Sequence, residues 1–141
     1  LFLKEEGLLQ EARDAFEKTV NSYPDSEWAK AARFQIALAD ADRSAGAGYD
    51  QQITETAIQG FKEFVKDYPD AELSREAKER VASLREKEAE NHFLVAQFYE
   101  KQKKIEAAKM YYSLIVDDYR DTVWSGKALE KIQQLGKSNE K

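Results

Sequence analysis

Apolar residues recur along this chain at helical spacing, with charged residues filling the positions between them. Three stretches, 11–25, 55–70 and 106–121, share one pattern. An alanine is followed four residues on by an aromatic, and a tyrosine follows seven residues after that: Ala12, Phe16 and Tyr23; Ala57, Phe61 and Tyr68; Ala108, Tyr112 and Tyr119. Offsets of four and seven keep all three positions on one face of a helix. The small alanine lets a neighbouring helix come close, and the aromatic fills the space between helices. All six aromatics are expected in the core.

The stretches also end alike, in "NSYPD", "KDYPD" and "DDYRD". Pro24 and Pro69 stop their helices, because the residue before a proline is pushed out of the helical region. Arg120 stands at the third such place. The aspartate that follows (Asp25, Asp70, Asp121), or Ser26 and Thr122 just beyond, is placed to cap the next helix.

The chain then divides into predicted elements. Residues 1–6 read as the tail of a helix in a fragment of a longer protein, and Gly7 as the turn into a helix over 8–22 with Leu9, Ala12, Phe16 and Val20 inward. A helix over 26–43 bears Trp28, Ala31, Phe34 and Leu38. Residues 44–51, with Gly46 and Gly48, form a loop. Helices follow over 53–67, from 71 to about 102, over 105–118 and over 123–135, where Gly136 ends the last. Residues 71–102 hold no glycine or proline, which predicts one long helix.

The alanine–aromatic–proline spacing resembles the second helix of a tetratricopeptide repeat. The period departs from it: Pro24 to Pro69 is 45 residues and Pro69 to Arg120 is 51, against roughly 34 in the usual repeat. The expected fold is all-α, a tetratricopeptide-like α-solenoid of antiparallel helix pairs with one unusually long helix. Residues 1–136 form a single repeat domain, and 137–141 a frayed tail.

Composition narrows the function. The net charge of −5 opposes a phosphate backbone, so nucleic acid is excluded as a partner. Without cysteine there is no disulfide framework and no thiolate metal site. No apolar run reaches the roughly 20 residues needed to cross a bilayer.

With the long helix in view, "F..F...YPD" at 61–70, the series Ala77, Arg80 and Leu84, and "VAQFYEKQKKIEAA" at 95–108 resemble the BamD family. These are tetratricopeptide lipoproteins of the outer-membrane β-barrel assembly machine, and the likeness covers the C-terminal two-thirds of a family member. It implies a non-enzymatic scaffold on the periplasmic face of the bacterial outer membrane, held there by a lipid anchor outside this fragment. The implied partners are the POTRA module of the insertase, met through the C-terminal repeats, together with accessory lipoproteins and unfolded barrel substrates. The family often places glycine in the turn after the long helix, where this chain has Gln102, Lys103 and Lys104. The rival reading is another periplasmic tetratricopeptide adaptor, a cell-division coordinator of the Tol–Pal type.

Candidate chemistry is sparse. His92 is the only histidine; mid-helix and without ligand partners, it reads as a partly exposed helix residue. "REKEAE" at 85–90 reads as a solvated face with a repulsive Glu86–Glu90 pair. "GAG" at 46–48 lacks the lysine and hydroxyl residue of a phosphate loop. No set of nucleophile, base and orienting residue is present, so no catalysis, cofactor or metal is expected. Tyr111 lies about 100° off the inward stripe and reads as an interface anchor, as does Trp124. With Lys103 and Lys104 they make up the candidate partner contacts. Leu1, Phe2 and Leu3 are expected to be exposed.

Overall fold

The structure is a computed structural model that describes residues 2–23, 26–44 and 50–139, without the side chains at 2–6, 9, 44, 138 and 139. Six helices follow in order: α1 (Phe2–Ser22), α2 (Glu27–Ser44), α3 (Gln51–Asp67), α4 (Glu72–Lys101), α5 (Ile105–Asp118) and α6 (Val123–Asn139). The fold is all-α and tetratricopeptide-like. The expected long helix is α4; its 30 residues span about 45 Å at 1.5 Å per residue. Two compact units divide the chain within α4, Leu1–Leu84 and Arg85–Lys141.

In the first unit α1 packs on α2 and α2 on α3. Phe34 of α2 sits edge-on to both Phe61 and Phe64 of α3, 5.6 Å from each ring. Ala57, Ala77 and Leu84 close the cluster. Helices α2 and α3 approach closely at Gly60, where a Cβ would lie 3.3 Å from that of Ala37. Arg13 of α1 donates to the buried Asp40 of α2 at 2.9 Å and also pairs with Glu17. Burial disfavours the charged guanidinium, but these two carboxylates outweigh it and raise its pKa.

In the second unit α5 packs on α6. The core joins Ala89, Phe93 and Ala96 of α4 to Ala108, Tyr112 and Ile115 of α5 and to Ala128 and Leu135 of α6. Tyr112 is fully buried, and its hydroxyl donates to Glu100 at 2.8 Å. Glu100 is also 3.5 Å from Lys131 of α6. Burial, and then the bond to Glu100, raises the Tyr112 pKa.

The shared punctuation builds one turn three times. The carbonyls of Tyr23, Tyr68 and Tyr119 each accept from the amide three residues on, at 3.2, 3.1 and 3.1 Å. A hydroxyl then takes up the same carbonyl: Ser26 at 2.8 Å, Thr122 at 2.7 Å, and Ser74 one turn later where Ala71 has no hydroxyl. Ser26 also caps α2, accepting from the Ala29 amide at 3.0 Å. The turn at Arg120 matches that at Pro69, so proline is not its cause. Pro24 and Asp25, residues 45–49 of the loop expected over 44–51, the side chain of Leu9 and those of Leu1 to Leu3 lie outside the described residues; Ser44 and Gln51 of that stretch belong to α2 and α3.

Several expectations need correction. Helix α1 runs straight through Gly7, because one glycine costs a helix only about 1 kcal/mol and no stop signal accompanies it. For the same reason α6 continues past Gly136 to Asn139. The Ser26 cap sets a register in α2 that buries Ala29, Ala32 and Ala37 beside Phe34, while Ala31 is exposed and Trp28 is 79% exposed. Tyr23 is 68% exposed, not core. His92 is buried, since it directly precedes Phe93 on the face of α4 that meets α5.

Candidate protein-interaction surfaces

The repeat positions differ in burial. Ala57, Phe61, Ala108, Tyr112 and Tyr119 are buried; Ala12, Phe16 and Tyr68 are half-buried; Pro69 is exposed in its turn. Tyr23 is exposed and does not join a core; Pro24 lies outside the described residues.

A polar groove of about 720 Å³ runs along the first unit between α1, α2 and α3. Its arginines are engaged. Arg13 holds Asp40, and Arg33 holds Asp67 at 2.7 Å while donating to the Tyr68 hydroxyl at 3.3 Å. Glu55 and Glu63 line the same groove and, among the described residues, accept only from glutamines one turn away on their own helix. The surplus is negative, which suits amide-rich or cationic polypeptide.

The second unit holds all four predicted contact residues. Tyr111 is half-buried: it stacks on Tyr99 at 5.7 Å, lies 6.2 Å from His92, and packs against the core. Trp124 rests on Phe93 at 5.1 Å, with Lys127 over its other flank at 4.5 Å. Each ring is therefore only partly open to solvent, because part of its surface already serves the fold. Lys103 and Lys104 are exposed in the turn after α4.

That turn has a defined geometry. Lys103 adopts a left-handed φ of 61°. Its amide donates to the Glu100 carbonyl at 3.0 Å, and the Lys104 amide donates to that of Tyr99 at 2.9 Å. This is the reciprocal bond pair of a Schellman stop, a place where glycine is usual.

"REKEAE" is largely structural rather than a solvated face. Arg85 donates to both carboxylate oxygens of Asp121 at 2.9 and 2.7 Å and to the Asp118 carbonyl at 2.6 Å, and it lies over the Tyr119 ring at 4.8 Å. The Asp121 bond raises the arginine pKa against its partial burial. Glu86 caps α6 from outside, accepting from the Val123 amide at 3.1 Å. Glu88 and Ala89 are buried, and Glu90 alone of the acidic residues stays exposed. The spacing of these residues along α4 carried no sign of partners more than thirty positions away.

Sequence reasoning also missed a set of exposed apolar side chains: Leu94 and Phe98 on α4, Met110 on α5, and Val123 and Leu129 on α6. The signal was present for the first two. They form an apolar i,i+4 pair off the stripe of Ala89, Phe93 and Ala96. No described helix is long and apolar enough to cross a membrane.

Two family models match the chain. The model of a family described as outer membrane lipoprotein, YfiO, matches residues 37–139. A model described as a tetratricopeptide repeat matches residues 1–26. No curated protein matches the chain.

Proposed function

Because the chain belongs to the YfiO family of outer membrane lipoproteins, which is BamD-like, we propose that it is a non-enzymatic periplasmic scaffold in the assembly of outer-membrane β-barrels. In this reading it binds the POTRA region of the insertase through its second unit. The contact includes the open parts of Tyr111 and Trp124 and the basic turn at Lys103 and Lys104. One observation carries the reading: the second unit exposes five large apolar side chains around an intact core. Scattered apolar residues are ordinary on a surface. Five such side chains in a unit of 57 residues, Arg85–Lys141, with Leu94 and Phe98 one turn apart on α4, favour protein contact.

Calorimetric titration of the protein against the last POTRA module of the insertase tests this. The expected outcome is saturable binding that weakens in Tyr111→Ala and Trp124→Ala, with thermal melts verifying that both variants fold. Binding unchanged in both variants would move the site. No binding by folded protein would reject the insertase as partner and leave the adaptor of Tol–Pal type as the better reading.

A further inference from the structure

We propose that the outer face of α4 near its C-terminus docks an acidic, amphipathic segment of a protein partner. Leu94 and Phe98 stand one turn apart there, 54% and 58% exposed. They point away from the face of α4 that carries Phe93 and Ala96 into the core. Lys101 lies three residues beyond Phe98 and so on the same side of the helix; Lys103 and Lys104 follow in the turn. All three lysines are exposed. Among the described residues no ion pair engages them, whereas Lys30, Lys109 and Lys131 each have a carboxylate partner. In a chain of net charge −5, this is a local positive spot beside an apolar pair.

The backbone supplies an independent sign. Lys103 holds a left-handed φ of 61°, a conformation unfavourable for any residue with a Cβ and free for glycine. Strain of this kind concentrates at functional sites. Here it sets a lysine on the end of α4, where a glycine would close the helix more easily.

The chemistry selects the occupant. An apolar pair one turn apart fits two apolar side chains of a helix, and three unpaired ammonium groups call for carboxylates beside them. An anionic membrane fits less well, because two side chains make a small insertion and the overall negative charge repels the headgroups. A two-fold pair of this chain fits less well too, since the patch would meet itself and set lysines against lysines. The site shares Lys103 and Lys104 with the proposed POTRA contact but adds Leu94, Phe98 and Lys101, so the inference goes beyond the scaffold reading and stands whether or not the POTRA region is a partner.

The probe is a fluorescein-labelled synthetic helical peptide with leucine and phenylalanine four residues apart and glutamates on the flanking positions. Its counterpart carries lysines in place of the glutamates. Anisotropy titrations with the full chain should show saturable binding of the acidic peptide alone, weakened by salt. Leu94→Ala combined with Phe98→Ala should weaken it by about tenfold or more, as loss of an interface anchor does. Reversing Lys101, Lys103 and Lys104 to Glu should switch the preference to the basic peptide. Lys103→Gly should raise the melting temperature while lowering affinity, a split that a purely structural role would not produce.

No binding of the acidic peptide by folded protein, or equal binding of both peptides, would overturn the proposal. So would binding to phosphatidylglycerol vesicles, or a dimer in sedimentation, if either exceeds peptide binding and disappears in Phe98→Ala. Titration of the POTRA module against the same sample separates the two readings: module binding without peptide binding overturns this site alone.

Discussion

The two units carry the same clamp with different strength. In the first, Arg33 reaches from α2 over the Tyr68 ring at 5.2 Å and pairs with Asp67. In the second, Arg85 reaches from α4 over Tyr119 at 4.8 Å, grips both oxygens of Asp121 and donates to the Asp118 carbonyl. Tyr119 is 9% exposed, while Tyr68 is half-buried with Lys30 at 5.2 Å over the same ring. Tyr23 occupies the matching place at the end of α1, and no arginine covers it among the described residues. The same tyrosine signature thus yields a buried, a half-buried and an exposed ring. The turn that the tyrosine closes therefore does not set its burial: Tyr68 stays half-buried under two cations, whereas Tyr119 also packs into the core beside His92 at 5.5 Å.

The strongest way to break the units is through their cores. Phe61→Ala in the first and Tyr112→Ala in the second should each cost about 3–5 kcal/mol, because both are fully buried and leave cavities. Chemical denaturation would read the loss, and a cost below about 1 kcal/mol would contradict the packing described.

The clamps can then be compared directly. Arg85→Ala should cost about 1–2 kcal/mol and Arg33→Ala less than about 1, since a two-pronged carboxylate contact with a carbonyl bond exceeds one ion pair and a longer bond to a tyrosine hydroxyl. Equal losses would show that the extra bonds of Arg85 contribute nothing. Lys103→Gly acts in the other direction within the second unit. Relief of the left-handed strain should stabilise it by about 1 kcal/mol, seen as a higher melting temperature.

The smallest effect separates the units by pH. Tyr112 is the second unit's counterpart of Phe61, and its pKa is raised above the ordinary 10.0 by burial and by the bond to Glu100. A raised tyrosine holds its proton in the folded state while the unfolded state gives its own up. Its contribution is therefore complete below pH 10 and is lost as pH rises from there toward the folded-state value. Tyr112→Phe should remove that alkaline loss and leave stability below pH 9 changed by no more than about 1 kcal/mol. A wild-type alkaline decline that persists in Tyr112→Phe would assign it to other groups.

Much of the fold was legible from spacing. The offsets of four and seven located α1, α3 and α5, and the absence of glycine and proline located the long α4. The stops were legible in part. Hydroxyls at Ser26 and Thr122 announced their turns, but Gly7 and Gly136 did not interrupt helices, because a glycine without further stop signals is too weak to end one. The clamp left a trace that single-helix reasoning does not seek: an arginine 35 residues before Tyr68 and 34 before Tyr119.

The surface was less legible. Spacing reads Tyr111 and Trp124 as outward aromatics, yet both share their rings with the core. Leu94 and Phe98 are more exposed, but spacing does not single them out, since an apolar pair on a long helix reads equally as core or surface until the neighbouring helices are in place.

By itself, the sequence determined the helices, the three alike turns and the identity of the core aromatics in α3 and α5. These rest on interactions within a few residues, such as i,i+4 packing and a hydroxyl reaching back to a carbonyl. Only the tertiary structure decided which tyrosine is covered, that Arg85 and Glu86 turn inward to α5 and α6, and that Lys103 carries a left-handed backbone. Those outcomes depend on charges and hydrogen-bond donors brought together from distant positions, and on a chain reversal whose geometry is set by the helix it must meet.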